Sequence, residues 1–82
     1  MNTGPQAVPR WELALTRLAD ARTAASRFGD EETQAVVEQL WLQAEGPARL
    51  CAEGRGPVGE YAAELERLAK ASDAVLARLR GN

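Results

Sequence analysis

The stretch Glu53–Arg80 reads EGRGPVGEYAAELERLAKASDAVLARLR, and its two halves decide the fold. The first seven residues hold three glycines and a proline, a composition that ends helices and turns the chain. Beyond the turn, Tyr61, Leu65, Leu68, Ser72, Val75 and Leu79 recur in steps of four, three, four, three and four. That rhythm returns a side chain to the same stripe of an α-helix each time and predicts a helix over 58–80. Glu66 and Lys70 stand at i and i+4 in the favourable order, Arg78 and Arg80 suit the negative end of the helix dipole, and Gly81 is a natural stop.

On the N-terminal side of the turn, Val37, Leu40, Ala44, Pro47 and Cys51 keep the same steps. Gly46-Pro47 interrupts them, because proline removes a helical hydrogen bond and crowds the preceding turn. One kinked helix over 31–53 is favoured over two short ones. Gly29 and Asp30 mark the preceding boundary, a stop followed by a strong N-cap, and Glu31 and Glu32 place negative charge in the first turn. Earlier still, Trp11, Leu15, Leu18, Ala25 and Phe28, widened by Ala14 and Ala21, define a first helix over 9–28 that opens at Pro9. Residues 1–8 have no charge and no period and read as a disordered tail, leaving 9–82 as a single helical domain. The expected fold is all-α, a small antiparallel three-helix bundle, with a long helical hairpin and a loosely packed first helix as the alternative.

Composition agrees. The chain has 82 residues, of which 45% are hydrophobic but only 5% aromatic, and 16 are alanine. So small an aromatic stock favours slim helices at close range over a thick sheet core. A formal charge of −2 provides no basic footprint, so neither nucleic acid nor an anionic membrane is an expected partner. No run of apolar residues approaches a membrane span or a signal-peptide core. With no histidine and one cysteine, an internal disulfide is impossible, and no metal site, cofactor or catalytic residue is expected. Cys51 falls on the apolar seam and reads as a small buried hydrophobe rather than a nucleophile. Asp30, Glu31 and Glu32 are accounted for by capping. Gly54-Arg55-Gly56 lacks the strand and the Lys-Ser or Lys-Thr of a phosphate loop. Arg22 falls on the first-helix seam, where its stem covers apolar surface at the edge or its head meets a glutamate on another helix.

Binding is then the open possibility. Tyr61, Leu65, Leu68, Val75 and Leu79 form the longest apolar stripe, and with the off-seam Leu76 they are the expected partner-binding residues. Leu13, Leu42 and Leu76, with Trp41 and Val58 nearby, make a second apolar face conceivable.

The text from Arg49 onward, with Gly54 and Pro57 in the turn, Tyr61 opening the next helix and Leu65, Leu68, Val75 and Leu79 in rhythm after it, resembles the small co-chaperones of type III secretion needle subunits. The resemblance covers residues 49–80. It implies a cytoplasmic, non-catalytic helical hairpin that pairs with a helical-repeat chaperone and keeps a polymerising needle subunit soluble before export. The partner would be another helical protein, either chaperone or secreted client. Two other readings fit the same residues: a flagellar-export-type chaperone or anti-factor that hides a client's amphipathic helix, and a self-associating structural module, a homodimer along the third-helix seam.

Overall fold

The computed structural model describes residues 8–79, with Leu79 traced as helix backbone but its side chain outside the described part. Of the expected tail only Val8, which is exposed, falls within these bounds. Among the described residues the fold has three helices: α1 (Arg10–Phe28), α2 (Glu31–Ala52) and α3 (Val58–Leu79). No strand occurs among the described residues.

Local chemistry sets each boundary. Pro9 sits just outside α1 rather than at its first position, with extended backbone (φ −58°, ψ 148°). Its carbonyl accepts from Glu12 N at 3.0 Å and Leu13 N at 3.1 Å, so it still nucleates the first turn. Gly29 ends α1 with its N–H on the Ala25 carbonyl at 2.9 Å. A Cβ at Gly29 would lie 2.8 Å from that oxygen, so the close approach requires glycine. Asp30 then caps α2, its carboxylate accepting from Thr33 N at 2.8 Å, while Gln34 Nε2 donates to the Gly29 carbonyl at 3.0 Å. The hydrogen bonds from Thr33, its backbone N–H first, hold the Asp30 carboxyl below the usual carboxylate range.

α2 runs unbroken through Gly46-Pro47. The Gln43 carbonyl, which loses its donor to Pro47, lies on a turn where Gln43, Glu45 and Gly46 are exposed, so water can serve it. At its C-terminus Gly54 is left-handed (φ +70°). Gly54 N donates to the Cys51 carbonyl at 3.1 Å and Arg55 N to the Leu50 carbonyl at 2.9 Å, the paired bonds of a Schellman stop. The Pro57 carbonyl accepts from Glu60 N and Tyr61 N, both at 3.2 Å, and starts α3.

All three helix pairs are in contact within an envelope of 46 × 27 × 17 Å. α1 is therefore a full member of the bundle, and the hairpin alternative is excluded. Leu18, Leu65 and Leu68 are buried at the centre with Ala14, Ala44, Ala48, Cys51 and Ala69, and Trp11, Leu40, Trp41 and Tyr61 pack around them. A second cluster, Ala21, Ala25 and Val37, fills the far end beneath Val75 and Leu76. Ser72 is wholly buried and donates its hydroxyl to the Ala69 carbonyl at 2.7 Å, so its polar group costs little.

Two expectations are corrected by this packing. Phe28, expected on the buried face, is 76% exposed, because it is the last residue of α1 and the chain turns away beneath it. Leu76, expected off the seam, packs against the second cluster. A helix with two neighbours presents two adjoining seams. On α3 one of them is Tyr61, Leu65, Leu68, Ser72 and Val75, while the other, Val58, Ala62, Leu65, Ala69, Ser72 and Leu76, shares Leu65 and Ser72 with it and includes two alanines.

Candidate functional site

Three grooves run along the bundle, one between each pair of helices, and they are finished differently. The α1–α3 groove is bridged by two ion pairs. Arg10 meets Glu66 through two bonds, Nε to Oε2 at 2.8 Å and NH2 to Oε1 at 2.6 Å, and Arg17 meets Asp73 about two helical turns further along. The first of these, through its hydrogen bonds, holds the Glu66 carboxyl below its ordinary range. The α1–α2 groove is bridged by Arg22, whose guanidinium reaches Glu38 at 3.0 and 3.3 Å and lies 4.9 Å from the centre of the Trp41 ring. Both readings of Arg22 thus meet in one residue, which is exposed at the seam's edge and bound across helices.

No ion pair crosses the α2–α3 groove among the described residues. Glu64 pairs with Arg67 along α3 instead. The flank of α2 that borders this groove follows from helix geometry. At about 100° per residue, Val36, Leu40, Gln43, Pro47 and Leu50 lie to one side of the buried Ala44, and Glu38 and Trp41, which meet α1, lie to the other. All the charges of α2 (Glu31, Glu32, Glu38, Glu45 and Arg49) are off the central part of this flank, which carries none from Val36 to Leu50. Val36 is 41% exposed, and Leu40, Pro47 and Leu50 are half-buried. Across the groove α3 contributes Tyr61, Ala71 and Val75, also half-buried. The result is a strip along the bundle, apolar and amide-bearing on its α2 side, that no interhelical ion pair bridges among the described residues. On its α3 border the half-buried Glu64, paired with Arg67, lies between Val75 and Ala71 around the helix.

The residues expected to bind a partner divide between core and groove. Leu65 and Leu68 are 0% and 1% exposed, so no partner reaches them in the folded bundle. Leu76 packs inward as described, Tyr61 and Val75 border the open groove, and the Leu79 side chain lies outside the described residues. Nor do Leu13, Leu42 and Leu76 share one face. Leu13 borders the α1–α3 groove beside Arg10 and Arg17, whereas Leu42 is about 160° round α2 from Ala44 and points away from the bundle. The α2 side of the groove was missed from sequence. The available signal was the run of uncharged residues at positions 36, 39, 40, 43, 46, 47 and 50.

Elsewhere the chemistry is quiet. Cys51 is 5% exposed, with its Sγ 4.0 Å from the Val58 carbonyl, and desolvation pushes its thiol up. An open cleft of about 520 Å³ at the α1–α2 end is lined by residues such as Arg27, Gln34, Val37 and Glu38. Among the described residues every buried side-chain polar atom has a partner, and no group of three or more acidic or cysteine side chains is placed to hold a metal ion. Among the described residues no helix is long and apolar enough to cross a membrane. No protein-family model, curated protein or solved structure matches the chain.

Proposed function

We propose that this protein is a non-catalytic helical docking module whose working surface is the α2–α3 groove. The observation that carries this reading is the contrast between grooves: interhelical arginine pairs bridge two of them, whereas no ion pair among the described residues bridges the third, whose α2 side is uncharged from Val36 to Leu50. An apolar strip bordered by polar residues is the usual surface for an amphipathic helix. A specific form of the reading is a cytoplasmic co-chaperone that helps keep a needle-type secreted subunit soluble. What supports that form is the place of Gly54, Pro57 and Tyr61, which stand in the α2–α3 turn and at the start of α3, at the mouth of this groove.

The test is site-specific photo-crosslinking in the native host, with the photoreactive residue at Gln43 on the flank or at Leu42 on the outward side. The docking reading expects a discrete crosslinked species from Gln43 and none from Leu42. Equal yields from both positions, or none from either, would reject it.

A further inference from the structure

We infer that the occupant of the α2–α3 groove is a second copy of this chain, joined antiparallel about a two-fold axis through Ala71. The inference rests on the docking reading and adds the identity of the partner. The outer flank of α3 beside the groove is Glu64, Arg67, Ala71, Val75 and Arg78, in steps of three, four, four and three. These five lie within about 80° of one another around the helix, and none of them is fully buried. The spacing is symmetric about Ala71, and so is the chemistry. An antiparallel mate places Glu64 opposite Arg78 of the second copy, twice by symmetry. It places the stem of Arg67 against Val75 of the second copy, and Ala71 on its own equivalent, where the small side chain allows close approach. Run in parallel, the same flank would set Glu64 on Glu64 and Arg78 on Arg78. α2 and α3 run antiparallel from the turn at 53–57 with equal rise, so the same axis passes α2 near Leu40. The uncharged strips of the two copies then overlap over 36–44, while Pro47 and Leu50 fall opposite Thr33 and Asp30 of the second copy.

The area is sufficient, though modest. Two adjacent helices of 22 residues offer a face about 33 Å long and about 15–20 Å wide, hence roughly 500–650 Å² per copy. The total of roughly 1,000–1,300 Å² sits at the lower edge of specific interfaces, which points to a dimer of micromolar strength.

Sedimentation of the purified full chain over a concentration series tests this. The expected result is a reversible rise from one to two chain masses. Ala71→Arg should hold the protein monomeric at unchanged helix content. Glu64→Arg and Arg78→Glu should each weaken the dimer about tenfold, and the two together should restore it to within about threefold. A chain that stays monomeric throughout overturns the inference, and so does a dimer indifferent to these substitutions. A monomer whose Gln43 crosslinks to a different protein in the host overturns the inference and leaves the docking reading standing. A monomer with no such crosslink removes both.

Discussion

Single residues in this protein do work that their chemistry explains. Cys51 is buried beside Ala48 and Val58, and its raised thiol pKa leaves little thiolate at neutral pH. A thiol reagent should label the native protein far more slowly than the denatured chain, and Cys51→Ala should cost about 1 kcal/mol through a small cavity. Labelling at the denatured rate would show that the site opens freely. The Asp30 and Glu66 carboxyls are both held below their ordinary range, by the Thr33 N–H and by Arg10 respectively. Each therefore binds its proton less tightly folded than unfolded. Their contribution to stability is complete above the ordinary carboxylate range, near pH 4, and is lost as pH falls through the lowered folded values. Melting temperature should fall on acidification across that window, and the fall should be smaller in Asp30→Asn and Glu66→Gln. A double variant as acid-sensitive as the wild type would show that other carboxyls govern the response.

At the level of elements, helix ends were legible in the sequence and helix pairing was not. Gly29, Asp30 and the glycine-rich turn act on their own neighbours, so the boundaries expected at 28, 31 and 58 appear at Phe28, Glu31 and Val58. The passage of α2 through Pro47 was legible too, because the apolar rhythm on either side stayed in phase. Leu76 was misread because a single four-three rhythm captures only one of the two seams of a bundle helix. The second seam shares Leu65 and Ser72 with the first, and its Ala62 and Ala69 look like filler. Two glycine substitutions test the element account with opposite signs. Gly54→Ala should destabilise by about 1–2 kcal/mol, since its left-handed φ suits no other side chain well. Gly46→Ala, in mid-helix with open space where its Cβ would go, should stabilise by up to about 1 kcal/mol. Chemical denaturation reads both, and the same sign for the two would refute it. Leu76→Asp, placed against Ala21, Ala25 and Val37, should lower stability markedly, whereas Leu42→Asp should leave it nearly unchanged.

For the whole molecule, the bundle was legible, and the expected partner-binding residues divide between its core and the groove proposed as its working surface. Tyr61 and Val75 were singled out as partner-binding, and both border the open groove. Leu65 and Leu68 were singled out with them, but the central residues of a stripe are the first to be taken up by the core. Which groove stays open depends on interhelical pairs such as Arg10–Glu66 and Arg22–Glu38, separated by 56 and 16 residues. Local spacing carries no trace of such pairs until the helices are placed. The account accordingly stands on the open groove being covered when the protein functions. The most direct measurement is thiol accessibility at Gln43→Cys and Leu42→Cys, each in a Cys51→Ala background, compared between intact host cells and dilute purified protein. The account predicts that Gln43→Cys is protected in cells and reactive in dilute solution, while Leu42→Cys reacts equally in both. Equal reactivity of Gln43→Cys in the two settings would mean that the groove is bare surface, and would contradict it.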